Sequence, residues 1–166
     1  MDVKTALGIL EKDKEFNAWV KKHKDFYFAN AFVMLQGTEK IDSVQLGYCN
    51  KKGDKITSFI VDEKEVKMFT DEVFKRPESK VCAVKVEDVV VDIGDVLKKA
   101  NGFREKKYPA DVANKKVFIL QNSDNGVIWN ISFITDSLNV LNFKIACKDG
   151  KLLKHNKTSL LQFRSN

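Results

Sequence analysis

Short runs rich in β-branched and aromatic residues, separated by Gly, Asn and Asp, make up most of this chain. Such runs are typical of β-strands joined by tight turns. Two sets of runs occur, and each follows a stretch with apolar residues at helical spacing, around Phe16 and around Val96. This order predicts an α+β protein with two similar units, each a helix packed on an antiparallel β-meander.

In the first half, apolar spacing predicts a helix over 3–23, broken near Asp13, which is suited to N-cap the second part. A further helix is predicted over 63–74, ending before Pro77. Apolar residues on both faces of the run that contains Phe32 indicate a strand covered on both sides. Strands are predicted over 26–36, 43–50 and 55–61.

In the second half, a short β-like run over 80–91 precedes an amphipathic helix that begins at Asp92 and closes at Tyr108-Pro109. A tight hairpin is indicated at Lys148-Asp149-Gly150. Strands are predicted over 116–121, 127–134, 138–147 and 152–161.

The shared order of elements indicates an internal duplication. The first strands compare as Phe32–Gln36 with Val117–Gln121, and the last hairpins as Cys49–Gly53 with Cys147–Gly150. On this comparison the second half has one additional strand.

Proline and glycine content bears on how the halves are joined. Pro occurs twice and Gly eight times among 166 residues, which leaves no composition for a flexible linker. We therefore expect a single compact body over 1–166, with a first helix-plus-sheet unit at 1–79 and a second at 80–166.

The net charge of +6 is compatible with a nucleic-acid partner. However, only Arg76, Arg104 and Arg164 are arginines among 29 basic residues, and arginine is preferred for bidentate phosphate and base contacts. The lysines are interspersed with 23 acidic residues, which is typical of a solvated surface. Nucleic-acid binding through a Lys-rich face is the alternative function.

Few groups could carry catalysis. His23 and His155 fall at a predicted helix end and near a predicted hairpin, and no catalytic signature surrounds Cys49, Cys82 or Cys147. The cysteines lie too far apart in sequence for a zinc motif, and no Gly-rich loop precedes a helix in a phosphate-binding arrangement. We predict a non-enzymatic protein without metal or cofactor.

The compartment is predicted from targeting and redox signals. No secretion signal and no run of about 18 apolar residues is recognised, so no membrane partner is expected. An odd set of three cysteines fits a reducing compartment. We predict a cytoplasmic protein, and the oligomeric state stays open.

Residues 92–163 carry a family pattern. A helix ending in Lys106-Lys107-Tyr108-Pro109 is followed by the strand 117–120, by a strand with Trp129 near its start and by a Gly150 hairpin. This half resembles PepSY-like domains, which have a helix-on-antiparallel-sheet fold of the broader cystatin-like kind. The resemblance implies a role beside peptidases, such as protease inhibition. The first half would be a degenerate copy, with Tyr48 and Gly53 in similar places.

We predict a protein- or peptide-binding module, protease-inhibitor-like or an adaptor, in which a sheet surface or edge recognises the partner. Tyr48 and Trp129 are the candidate aromatic contacts, although Trp129 is more typical of a core. The two hairpin tips complete the candidate interaction surface with Lys51, Lys52, Asp54, Lys148, Asp149 and Lys151.

Overall fold

The computed structural model describes residues 1–72, 81–124 and 126–161. Within those ranges the chain is an α+β protein with three α-helices and one eight-stranded antiparallel sheet. The elements in chain order are α1 (Val3–Leu10), α2 (Lys14–Lys22), β1 (Phe26–Gln36), β2 (Val44–Asn50), β3 (Lys55–Val61), β4 (Val66–Glu72), a short 3-10 helix (Val86–Asp88), α3 (Ile93–Lys107), β5 (Ala113–Ser123), β6 (Gly126–Thr135), β7 (Asn139–Ala146) and β8 (Leu152–Ser159).

The strands are ordered β4-β3-β2-β1-β5-β6-β7-β8. Neighbours in the sheet are neighbours in sequence except at the centre, where β1 pairs with β5. This junction contains seven residue pairs, from Asn30 with Gln121 to Gln36 with Lys115. The α+β class is confirmed, and the eight strands form one continuous sheet.

One face of the sheet is packed against the helices, and we call it the covered face. Helix α1 contacts β2 and β3, and α3 contacts β7. In α2, the Phe16 ring lies 5.1 Å from that of Phe59 on β3. The buried helix side chains form one core cluster with alternate strand residues, including Val33, Leu46, Phe59, Phe118, Ile131 and Phe143.

Asp92 connects the N-termini of two helices. Its carboxylate accepts a hydrogen bond from the Ile93 backbone N at 2.6 Å, which caps α3 as predicted. It also accepts from the backbone N of Val3 at 3.1 Å and of Lys4 at 3.3 Å in α1. A carboxylate in this position satisfies helix N–H groups and complements the positive ends of both helices.

The predicted break at Asp13 is confirmed. The Asp13 side chain accepts from the Phe16 backbone N at 2.8 Å and begins α2. Because Asp, Asn, Ser and Thr satisfy N–H groups that the helix leaves unpaired, the residue type alone located this boundary.

The helix predicted over 63–74 is wrong, because Val66–Glu72 is the strand β4. All seven of its residues pair with β3. Val66 and Phe69 are three residues apart, which fits a helix, but the exposed edge of β3 supplies backbone partners that local sequence does not show. The predicted end of this element and Pro77 lie outside the described residues.

The segment 81–91 contains no strand, contrary to the β-like run predicted over 80–91. It crosses the end of the sheet instead. Val84 N donates to Phe28 O at 2.9 Å, and Val91 N donates to Cys147 O at 2.8 Å. Its isolated apolar residues, Val84 and Val89, are buried as closing contacts for the core rather than as members of a strand.

Between the compared points the second half does have one additional strand, since β6 and β7 lead to the Cys147 hairpin and β2 alone leads to the Cys49 hairpin. Each half nevertheless contributes four strands to the sheet, because β4, predicted as a helix, follows the Cys49 hairpin. The predicted unit boundary at 79/80 lies outside the described residues.

Replacing Asp92 by Ala tests its role at two helix starts. Loss of one N-cap costs about 1 kcal/mol. We therefore expect Asp92→Ala to lower the free energy of unfolding by about 2 kcal/mol. Asp2 caps α1 alone, so Asp2→Ala should lower it by about 1 kcal/mol. Urea unfolding followed by Trp fluorescence measures both. Equal losses in the two variants would contradict the double role of Asp92.

Candidate functional site

Trp129, a predicted contact residue, is fully buried on the covered face. Its indole Nε1 donates to the backbone O of Val91 at 2.9 Å, so its polar atom is satisfied inside the protein. Trp129 is therefore a core residue and is not accessible to a partner.

Tyr48 also lies on the covered face, in an aromatic cluster between α2 and the sheet. Its ring centroid is 5.4 Å from that of Phe16 and 5.7 Å from that of Phe59. Burial raises the pKa of Tyr48 to about 12. The α2 aromatics cover part of its ring and Tyr48 is half-buried, so its role as a contact residue stays a prediction.

The two predicted hairpin tips lie at the same end of the sheet, but apart from each other. The registers of β1 with β2 and of β6 with β7 place both tips at the end where β1 begins. Five strand intervals separate the β2–β3 hairpin from the β7–β8 hairpin, or about 24 Å at ~4.8 Å per strand. They do not form one cluster.

Each tip is exposed and organised by its own hydrogen bonds. Lys51, Lys52 and Asp54 are exposed, and Asn50 Nδ2 donates to Asp54 Oδ1 at 2.7 Å, which lowers the pKa of Asp54. These bonds account for the shape of the loop without a ligand.

The β7–β8 tip is similar in this respect. Lys148, Asp149 and Lys151 are exposed, and Asp149 Oδ1 accepts from the Lys151 backbone N at 3.0 Å. Gly150 has a φ of 72°, and a Cβ there would lie 2.5 Å from Cε of Lys99. The positive φ favours glycine at this turn, and the flexible end of the Lys99 side chain fills the space beside it.

The histidines are placed by aromatic neighbours. The His23 ring stacks on Trp19 with centroids 4.7 Å apart, and its Nδ1 lies 2.8 Å from Trp19 O. His155 Nδ1 lies 2.8 Å from the hydroxyl of Tyr108.

Across the described ranges, no group of three or more His, Cys, Asp or Glu side chains is placed to hold a metal ion. The absence of enzymatic activity stays a prediction.

The most buried described carboxylate is that of Asp111, and it is fully partnered. It accepts from Lys157 Nζ at 2.7 Å, from Asn139 Nδ2 at 2.9 Å and from the Ser137 hydroxyl at 3.2 Å. The bond from Lys157 is the largest cause that lowers the pKa of Asp111. A carboxylate held ionised in this way fixes the start of β5 against β7 and β8.

The other face of the sheet carries none of the three described helices, and we call it the open face. The core cluster contains none of its central apolar side chains. Strand registers place eight half-exposed or exposed apolar side chains on this face: Phe32, Met34, Ile60, Phe69, Val117, Ile119, Ile134 and Val140. Ile128 and Cys49 also lie on it by register, but they are buried.

The open face is shallowly concave over β1 to β3. A hollow of about 230 Å³ lies there, with Phe32, Met34 and Ile60 in its lining. Beside it, a Cβ at Gly47 would lie 2.5 Å from Oδ1 of Asn30, so the Asn30 side chain occupies that space. The strand sequence thus keeps this part of the face low and partly polar.

Amides and hydroxyls lie between the apolar side chains of the open face. Asn142 Nδ2 donates to Asn130 Oδ1 at 2.9 Å and to the Ser132 hydroxyl at 3.3 Å. Gln45 Nε2 donates to the Ser58 hydroxyl at 3.1 Å. The open face therefore presents half-exposed apolar groups and hydrogen-bonded amides side by side.

Sequence reasoning missed this face because it expected β1 to be covered on both sides. Met34 is 50% exposed and Phe32 is half-buried, so that expectation is wrong for the described residues. A signal was present, since apolar residues occupy both alternations of several strands while the predicted helices are too few to cover two faces.

Comparison with known proteins gives the fold alone. No family model and no curated protein matches the chain. The chain is similar to the crystal structure of a "putative lipoprotein" from Clostridium difficile 630, with a TM-score of 0.56 and 15% identity over 90% of this chain and 97% of that one. Among the described residues, none of the helices has the length and apolar character needed to cross a membrane. The PepSY-like resemblance and the cytoplasmic location stay predictions.

The position of Tyr48 makes a prediction about alkaline pH. The pKa of Tyr48 in the folded protein lies above the ordinary 10.0. The buried neutral phenol therefore contributes fully to the free energy of unfolding below pH 10, and this contribution is lost as the pH rises through about 12. We expect Tyr48→Phe to remove one tyrosine from the late phase of a native-state titration followed by tyrosinate absorbance.

The same titration of the urea-unfolded protein is the control, because unfolding exposes the Tyr48 phenol to water. It should abolish the late phase. A late phase of unchanged amplitude in Tyr48→Phe would contradict the assignment to Tyr48.

Proposed function

We propose that this chain is a non-enzymatic protein-binding module and that its partner docks on the open face. The observation that carries this proposal is the spread of half-exposed apolar side chains from Phe69 on β4 to Val140 on β7, with no described helix over them. Exposed apolar side chains gathered on one face of a protein and rimmed by polar groups are a common mark of a binding site.

The size of the face supports the proposal. Eight strands at ~4.8 Å spacing and about seven residues at ~3.3 Å each give a flat area of roughly 900 Å². A standard protein–protein interface buries about 800 Å² on each partner. The open face alone is therefore large enough for a stable complex.

The face is favoured over an edge of the sheet as the docking site. Strand addition needs an edge that is free of charge and long enough to pair. The outer strand β8 instead carries exposed Lys154, His155 and Lys157. Charged side chains on an edge strand oppose the pairing of another chain.

A two-unit, PepSY-like architecture with an inhibitor-like or adaptor role is the more specific form of this proposal. It is supported by the strand order, which is symmetric about the β1–β5 junction, and by the helices that precede each set of four strands in the chain. Symmetry of order does not choose between an inhibitor and an adaptor.

Apolar side chains of the open face can be replaced without loss of β-propensity. We expect Ile119→Thr with Val140→Thr to reduce partner capture from a lysate of the source organism about tenfold, because apolar contact area is lost at two central positions. Nuclease treatment should leave the wild-type capture unchanged.

The matched control is Val90→Thr with Val112→Thr, which changes two apolar residues that are 62% and 60% exposed and lie off the open face. It should capture normally. Full capture by the open-face variant would place the site elsewhere, and capture that nuclease abolishes would favour the nucleic-acid alternative.

A further inference from the structure

The open face carries positive charge that the described part of the chain does not neutralise. Lys115, Lys144 and Lys154 lie on it by register, and none of them forms an ion pair with a described residue. Among the described strands, Asp and Glu occur only as Asp71 and Glu72, at the end of β4. Lys67 differs from the three lysines, because it pairs with Glu65.

Two of these lysines are direct neighbours. Lys144 on β7 and Lys154 on β8 are paired across the strands, so both side chains leave the same face. Like charges directly opposite each other on one sheet face are destabilising. An anionic group placed between them would remove that repulsion.

We propose, resting on the function proposed above, that the open face binds an acidic protein surface. Carboxylates of the partner lie beside the Lys144–Lys154 pair and beside Lys115. The aliphatic centre between them, which includes Ile119 and Ile134, meets apolar side chains of the partner. The chain's net charge of +6 adds long-range attraction, which raises the association rate at low salt.

A second copy of this chain fits the open face poorly. A two-fold contact brings the same surface of both copies together. The lysines of one copy would then lie near those of the other, and the central strands β1, β5, β6 and β7 carry no Asp or Glu to separate them. The cost of such like-charge contacts opposes self-association through this face.

Nucleic acid also fits less well. No described strand carries an arginine, and the aromatic side chains Phe32 and Phe69 of the face lie on separate strands, β1 and β4. Single-stranded nucleic acids bind where basic and stacking groups alternate. Here the groups between the lysines are aliphatic, so phosphates would lie against Val117 and Ile119.

The test uses the full chain, isotope-labelled for NMR, and three probes. The first is a 14-residue amphipathic peptide of Leu and Glu, the second its Leu and Lys counterpart, and the third a dodecamer of thymidylate. We expect the Leu/Glu peptide, alone of the three probes, to change the chemical shifts of the backbone amide signals of β5 to β7 residues whose side chains lie on the open face. The Lys144→Glu, Lys154→Glu variant should bind it at least tenfold more weakly.

The matched control is the Lys51→Glu, Lys52→Glu variant, which makes the same change in net charge at a hairpin tip. It should bind the Leu/Glu peptide within twofold of wild type. Equal weakening in both variants would overturn the inference, since net charge and not the Lys144–Lys154 pair would then account for binding. Amide spectra establish that both variants fold.

The remaining outcomes separate this inference from the proposed function. If both peptides bind the open face equally, the acidic partner is excluded and protein docking on the face stands. If neither peptide shifts those amides, the inference falls and the capture experiment above decides the proposed function by itself. If the thymidylate dodecamer shifts them and the Leu/Glu peptide does not, the face binds nucleic acid.

Discussion

The pairing of β1 with β5 is the interaction on which the rest of the structure depends. It joins residues 30–36 to residues 115–121 and so connects two antiparallel meanders into one sheet. Contacts this distant in sequence have a high entropic cost of loop closure, which burial of apolar side chains must offset. At the junction itself Val33 and Phe118 pair in register, and both are buried in the core.

A continuous sheet has two faces, and the described helices pack against one. The covered face takes the large aromatic side chains, with Phe59, Phe118, Phe133 and Phe143 fully buried, and Asp92 ties α1 to α3 above it. The buried core of the domain lies mainly on this face. The opposite face keeps half-exposed apolar side chains, although Ile128 and Cys49 at one end of it are buried.

Acidic and basic side chains are also distributed unevenly over the fold. Apart from the end of β4, carboxylates lie on helices and loops, where Asp2, Asp13 and Asp92 cap helices. Lys115, Lys144 and Lys154 on the open face have no ion-pair partner among the described residues. An apolar centre beside unpaired lysines is the arrangement that joins the proposed docking site to the acidic partner inferred for it.

The sequence by itself determined the α+β class, the starts of α2 and α3, and the positions of seven of the eight strands, because caps, turns and alternation act over a few residues. It also indicated that Trp129 suits a core. Only the tertiary structure decided that Val66–Glu72 is a strand, that one face of β1 stays open, and that Lys144 lies beside Lys154. These features depend on which strands pair and on which face the helices pack against, and residues far apart in the chain decide both.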